Sequence, residues 1–289
     1  MEELIRLRHE LHRNPELSGQ ERATAKRLRF FLSRYRPDEL YSNIAGEGMA
    51  AVFNGNEDGP TILFRCDMDA LPIEEKNDVK YKSNVPGVSH VCGHDGHMAI
   101  VSGLAVKFSE QPIERGKIIL LYQPSEENGE GAKNSIERLK ELDLIPNYAI
   151  ALHNLPKHPF GSVIMGKYTF SAASKGLIIN LTGRNSHAAY PERGLNPSVA
   201  VAEIIQLLNG LKDNVNFKDF VLITLIHVTV GEVAFGTSPG SATIMATLRA
   251  FNDDDMALLS SNAVNASSQI ANNHGLEITT SFTDDYPAS

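Results

Sequence analysis

Three short, largely apolar segments do most to limit what this chain can fold into. Residues 61–64 run into Arg65-Cys66-Asp67-Met68-Asp69, residues 117–122 into Gln123-Pro124-Ser125-Glu126-Glu127, and residues 148–152 into His153-Asn154. Between the first two, residues 98–108 have the character of a buried helix entered through Gly93-His94-Asp95-Gly96-His97. Strands that are apolar along their whole length must be covered on both faces, which points to an α/β layer with a largely parallel sheet and flanking helices. In such sheets sites form at the carboxyl ends of the strands, and all three segments place their polar residues there. Residues 2–35 alternate apolar and charged residues at helical spacing, interrupted at Asn14-Pro15, so two helices with a turn between them are expected.

The pattern changes after about residue 168. Strands are expected at 175–181, 221–230, 242–251 and 276–282, with helices at 197–212 and 253–273, the last capped by Asp at its start and stopped at Gly275. That order, βαββαβ, is the ferredoxin-like split unit. The expected division is a catalytic domain over 1–168, a second domain over 169–282 and a return toward the first over 283–289. The 289 residues are 42% hydrophobic and 21% charged, ample for two cores and unlike a disordered chain. A net charge of −8 with no basic stripe argues against nucleic acid as a partner. No run of ~20 apolar residues is present to span a bilayer, and the acidic N-terminus lacks the apolar core of a signal peptide. Two cysteines, Cys66 and Cys92, are too few for a disulfide framework, so a cytoplasmic protein with reduced thiols is expected.

The chemistry concentrates in His90-Val91-Cys92-Gly93-His94-Asp95-Gly96-His97, a thiol and three imidazoles within eight positions. Thiolate and imidazole are the favoured ligands of zinc and its first-row neighbours, and Gly93 leaves the backbone free to turn Cys92 and His94 inward. Glu126-Glu127 follows an apolar strand and precedes Gly129 and Gly131; a hydrolytic metal site needs a carboxylate ligand and a separate general base, and neighbouring glutamates can supply both. Glu74-Glu75, by contrast, reads as a solvated loop. His153 is a third ligand candidate. Asp69 is placed to receive the second N–H of a ligand histidine or to shape a turn. Cys66 reads as core packing, and His187 by itself as a surface-loop histidine.

Five motifs occur in fixed order: Leu11-His12-Arg13-Asn14-Pro15-Glu16-Leu17, Asp67-Met68-Asp69-Ala70-Leu71-Pro72, Cys92-Gly93-His94-Asp95-Gly96-His97, Gln123-Pro124-Ser125-Glu126-Glu127 and Leu152-His153-Asn154. Together they resemble the amidohydrolase branch of the dinuclear zinc peptidase superfamily, which holds hippurate hydrolases, N-acetyl-diaminopimelate deacetylases and indole-acetyl-amino-acid hydrolases. The resemblance covers nearly the whole chain. It implies a divalent metal centre, zinc or manganese with up to two ions, held by Cys92, His94, Glu127 and His153, with Glu126 as general base. It implies that the second domain is an inserted lid through which the protein forms a homodimer. There His187, in Gly183-Arg184-Asn185-Ser186-His187-Ala188-Ala189, matches a histidine that reaches the active site, usually of the partner subunit, and stabilises the oxyanion. The implied substrate is a small N-acyl amino acid.

Two departures accompany the resemblance. The family's chain returns from the lid for about another hundred residues carrying one more ligand histidine, and no residue here matches it. Where many relatives have a histidine after the proline that follows the His-Ala-Ala motif, this chain has Glu192. A truncated or degenerate homologue that dimerises and binds metal without turnover is therefore the alternative expectation.

Overall fold

A computed structural model describes residues 1–167, 169–214 and 216–288; the expected domain limit at residue 168 and the final residue 289 lie outside the described residues. The chain forms two compact units, Met1–Phe160 and Gly161–Ser289.

The first unit opens with α1 (Glu2–Arg13) and α2 (Arg22–Ser33), separated at Asn14-Pro15 as the missing proline N–H requires. A hairpin of β1 (Glu39–Ile44) and β2 (Gly48–Asn54) follows, then β3 (Glu57–Asp67), α3 (His94–Glu110), β4 (Arg115–Gln123), α4 (Gly131–Glu141) and β5 (Tyr148–Ala151). The sheet order is β1-β2-β4-β3-β5. The three apolar segments singled out in the sequence become β3, β4 and β5 and pair in parallel. The hairpin, which the sequence analysis did not identify, adds two antiparallel pairs and makes the sheet mixed.

The alternation along β4 explains its unbroken apolar character. Ile118, Leu120 and Tyr122 pack with Leu11, Leu28 and Met98 of the first three helices, whereas Ile119 and Leu121 pack with Leu139 of α4. Both faces are thus covered, as a parallel core strand demands. Cys66 is buried in the first of these clusters, as expected for core packing. Leu120→Ala removes a fully buried side chain from the centre of the sheet and should cost about 2–5 kcal/mol, read from the midpoint of denaturant unfolding.

The second unit contains β6 (Ala173–Thr182), the two-residue β7 (Ser186–His187), a 3₁₀ turn at Pro191–Arg193, α5 (Ser198–Asn214), β8 (Val221–Val230), the two-residue β9 (Thr237–Ser238), β10 (Ser241–Ala250), α6 (Asp253–Asn273) and β11 (Glu277–Tyr286). Four long antiparallel strands lie in the order β11-β6-β10-β8. Leu177, Ile179, Leu181, Ile244 and Leu248 share one core with Ile204 and Leu208 of α5 and Leu259 and Ala263 of α6. The α6 cap differs from expectation. Asn252, not an aspartate, is the N-cap and accepts from the Asp255 N–H at 2.8 Å. Asp253, Asp254 and Asp255 fill the first turn, where their charge favours the positive end of the helix. Among the described residues, no helix is long and apolar enough to cross a membrane.

Candidate metal centre

The carboxyl ends of β3, β4 and β5 bring the sequence candidates of the first unit together. Gly93 caps α3 in the left-handed region at φ 99°, and a Cβ there would meet the Asn154 side chain at 2.4 Å. Only glycine fits, and the turn it makes directs Cys92 and His94 to one place. After β4, Ser125 adopts φ 52°, held by its N–H donating to the buried Glu21 carboxylate at 2.7 Å. A Cβ on Gly131 would lie 1.7 Å from the Pro124 carbonyl, so this turn too depends on a glycine. The result sets Glu126 and Glu127 against His94, whose Nε2 lies 3.8 Å from Glu126 Oε2 and 3.7 Å from Glu127 Oε1. His153, just past β5, places Nε2 3.3 Å from Cys92 Sγ.

Potential ligand atoms of Cys92, His94 and His153 all lie within 4.8 Å of one another, and so do those of His94, Glu126 and Glu127. His94 Nε2 and Glu127 Oε1 are buried without a hydrogen-bond partner. Two lone-pair donors left unsatisfied side by side in a folded interior are expensive, and a cation between them would satisfy both. The donor set of thiol, imidazoles and carboxylate fits zinc or another first-row divalent ion.

The electrostatics agree. Burial disfavours a charged His94, yet Asp69, the Cys92 thiol and the Asp67 carboxylate outweigh it and push its pKa up to about 11. Burial, together with neighbouring carboxylates, also raises Glu126 and Glu127. Burial and mutual repulsion thus work against the charged forms of Glu126 and Glu127, and a divalent cation at this place would offset both.

The surrounding residues orient the ligand atoms, partly in ways the sequence analysis did not foresee. His94 Nδ1 donates to the Asp69 backbone carbonyl at 2.9 Å, while the Asp69 carboxylate expected to receive it stays 3.6 Å away. That carboxylate accepts from the Glu127 N–H at 2.9 Å and from Ser18 Oγ at 2.6 Å, so Asp69 positions both ligand candidates by different atoms. His97, one helical turn beyond His94, donates Nδ1 to Asp67 at 2.7 Å and meets Asn154 on its other nitrogen. Burial works against ionisation of Asp67, but His97 and Arg65 hold its carboxyl well below the usual range. Two signals pointed to this pair: the i, i+3 spacing of His94 and His97 on a helix, and the i, i+2 spacing of Asp67 and Asp69 off a strand.

Glu75, expected in a solvated loop, is 3% exposed and bonds to His12. Glu74 beside it is exposed. His187 stands in the second unit on β7, exposed, its Nδ1 accepting from the Ala189 N–H at 3.0 Å.

Residues 63–285 match the profile of peptidase family M20/M25/M40. The chain is 31% identical over 255 residues to an N-acetylcysteine deacetylase of Bacillus subtilis, covering 87% of this chain and 66% of that one. It is 34% identical over 230 residues to an N-acetyldiaminopimelate deacetylase of Anoxybacillus flavithermus, covering 79% and 61%. It thus spans about two thirds or less of the length of these curated relatives. Its fold superposes on that of the Bacillus subtilis YXEP protein, a dinuclear metal binding peptidase, with a TM-score of 0.81 and 27% identity, covering 99% of this chain and 74% of that one. With a profile match that takes in most of the chain and the donor set gathered at the ends of β3, β4 and β5, this chain belongs to the M20/M25/M40 peptidase family.

Proposed function

We propose that the protein hydrolyses the amide bond of small N-acyl amino acids with a divalent metal, zinc or manganese at up to two ions. Cys92, His94, Glu127 and His153 hold the metal in this reading. The observation that carries it is the buried, unpartnered pair of His94 Nε2 and Glu127 Oε1, 3.7 Å apart, beside the Cys92 and His153 donors. The deacetylase relatives support the choice of substrate class.

When bound, the metal supplies Lewis-acid polarisation of the acyl carbonyl and acidifies the attacking water. Glu126 takes the proton from that water at its carboxylate as the water adds to the carbonyl carbon. The same carboxyl then returns the proton to the leaving amine nitrogen, giving a carboxylate and a free amino acid. Burial, which raises the Glu126 carboxyl, brings its proton affinity closer to that task. Asp69 keeps Glu127 and His94 aligned. The second unit is assigned to dimerisation and to a lid, with His187 offsetting charge on the tetrahedral oxyanion. The reaction takes place in the cytoplasm, where Cys92 stays reduced.

The test is release of free amino acid from acetyl-, benzoyl- and succinyl-amino acids in the presence of Zn²⁺ or Mn²⁺. Turnover of at least one series is expected, with His187→Ala lowering kcat by about 10²–10³, the effect of losing an oxyanion donor. Metal uptake without turnover of any N-acyl amino acid would overturn the catalytic reading in favour of a metal-binding homologue that does no chemistry.

A further inference from the structure

Behind the candidate metal centre, the first unit holds a second buried set of charged groups that the hydrolytic chemistry does not use. His12, near the end of α1, sets Nδ1 2.9 Å from Asp95 Oδ2 and Nε2 3.1 Å from Glu75 Oε1. All three residues are buried. Arg8 Nε donates to the same Asp95 oxygen at 3.0 Å. Glu75 Oε2 accepts from the Ser83 N–H at 2.8 Å. With a carboxylate at each nitrogen, both nitrogens donate and the ring is an imidazolium; the hydrogen bond to Asp95 raises its pKa against the opposing effect of burial. Tyr81 packs edge-on to the His12 ring at 5.2 Å and stacks on His9 at 4.0 Å, shielding the cluster from the solvent side of α1.

We propose that His12 is a positioning residue for the metal centre, clamping Asp95 to Glu75 so that the turn carrying Cys92 and His94 keeps its ligating geometry. The inference rests on the metal reading above. Asp95 follows His94 in the first turn of α3, and consecutive helical residues are rotated by roughly 100°. Holding Asp95 from behind therefore sets the direction in which His94 points. On the other side of the turn, Glu75 lies in the segment between β3 and Cys92. That segment is tied down at Ser83, whose Oγ donates to the Val88 carbonyl at 2.7 Å, and at Ser89, which bridges to Leu71. His12 thus grips both flanks of a turn whose own hinge is a glycine. A glycine hinge loses more conformational freedom on ordering than any other residue, so the turn needs this restraint from outside. No other side chain of similar size presents two opposed donors to two carboxylates in one plane; a glutamine amide donates to one and turns its oxygen on the other.

The test uses Co²⁺ as probe on the full chain, with affinity from competition against a chromophoric chelator and the thiolate-to-cobalt charge-transfer absorption as a report on the Cys92–metal bond. His12→Gln should weaken Co²⁺ binding at least tenfold and diminish or shift that absorption. Leu7→Ala, which opens the apolar core on the same helix, should lower Tm yet keep affinity within twofold. Unchanged affinity in His12→Gln, or an equal loss in Leu7→Ala, would show the role to be structural only and overturn the proposal. If His12→Gln fails to fold, as judged by circular dichroism, Glu75→Gln is read in its place, with the same expected direction and the same overturning result. Failure of the metal reading looks different: the unaltered protein takes up no Co²⁺, or Cys92→Ser keeps the charge-transfer band, and the proposal then falls with it.

Discussion

Glu126→Gln should lower the rate of amide hydrolysis by about 10²–10⁴, the range for a positioned acid–base group, while metal content stays the same. The two adjacent glutamates are distinguished by their surroundings. Glu127 is tethered by its N–H to Asp69 Oδ2, and its Oε1 is buried, unpartnered and aimed at His94, which suits a ligand. Glu126 is the more exposed side chain, 30% against 18%, so that water and substrate have access to it. Glutamine preserves its shape and removes only the capacity to carry a proton. Glu127→Gln should instead reduce metal occupancy. Metal analysis beside kcat decides the point: loss of metal from Glu126→Gln with retention in Glu127→Gln would reverse the two roles.

Cys92→Ser should weaken metal binding by more than the roughly 10–100-fold typical of losing a group outside the ligand set, and abolish turnover with it. A serine hydroxyl neither ionises near neutral pH nor offers the soft donor that thiolate does. Chelation of the unaltered protein should likewise stop hydrolysis, and Zn²⁺ or Mn²⁺ should restore it. Affinity should also fall as pH is lowered. His94, whose pKa is pushed up to about 11, must surrender its proton to bind, and Glu127, raised by burial, is more easily protonated by acid than an ordinary glutamate, so uptake releases protons and acid opposes it. Binding isotherms at several pH values, with proton release followed in weak buffer, measure this directly. Affinity independent of pH, or full activity in Cys92→Ser, would remove Cys92 and His94 from the ligand set.

Much of both units was legible where the signals are local. β3, β4 and β5 announced themselves as apolar runs ending in polar residues; coverage on both faces explains the run in β4, whereas β5, expected to be covered likewise, is exposed along its length. The break at Asn14-Pro15 and the helix Asp253–Asn273 followed from short-range chemistry as well. The hairpin of β1 and β2 was missed. Met49–Phe53 is apolar without alternation, and its fit depends on lying beside β4 rather than on any period of its own.

The proximity of His94 to Cys92 and to His97 was determined by the sequence alone, since six residues around a glycine need no distant partner to come together. Only the tertiary structure decided what surrounds them. His12 meets Asp95 from 83 positions away, Glu75 turns from an apparent surface residue into a buried partner of that histidine, and His97 finds Asp67 across 30 positions. A carboxylate reads the same in sequence whether it is solvated or buried. Which of the two it becomes depends on whether folding brings it a donor that repays its lost hydration, and α1 and α3 supply those donors here only once they have packed together.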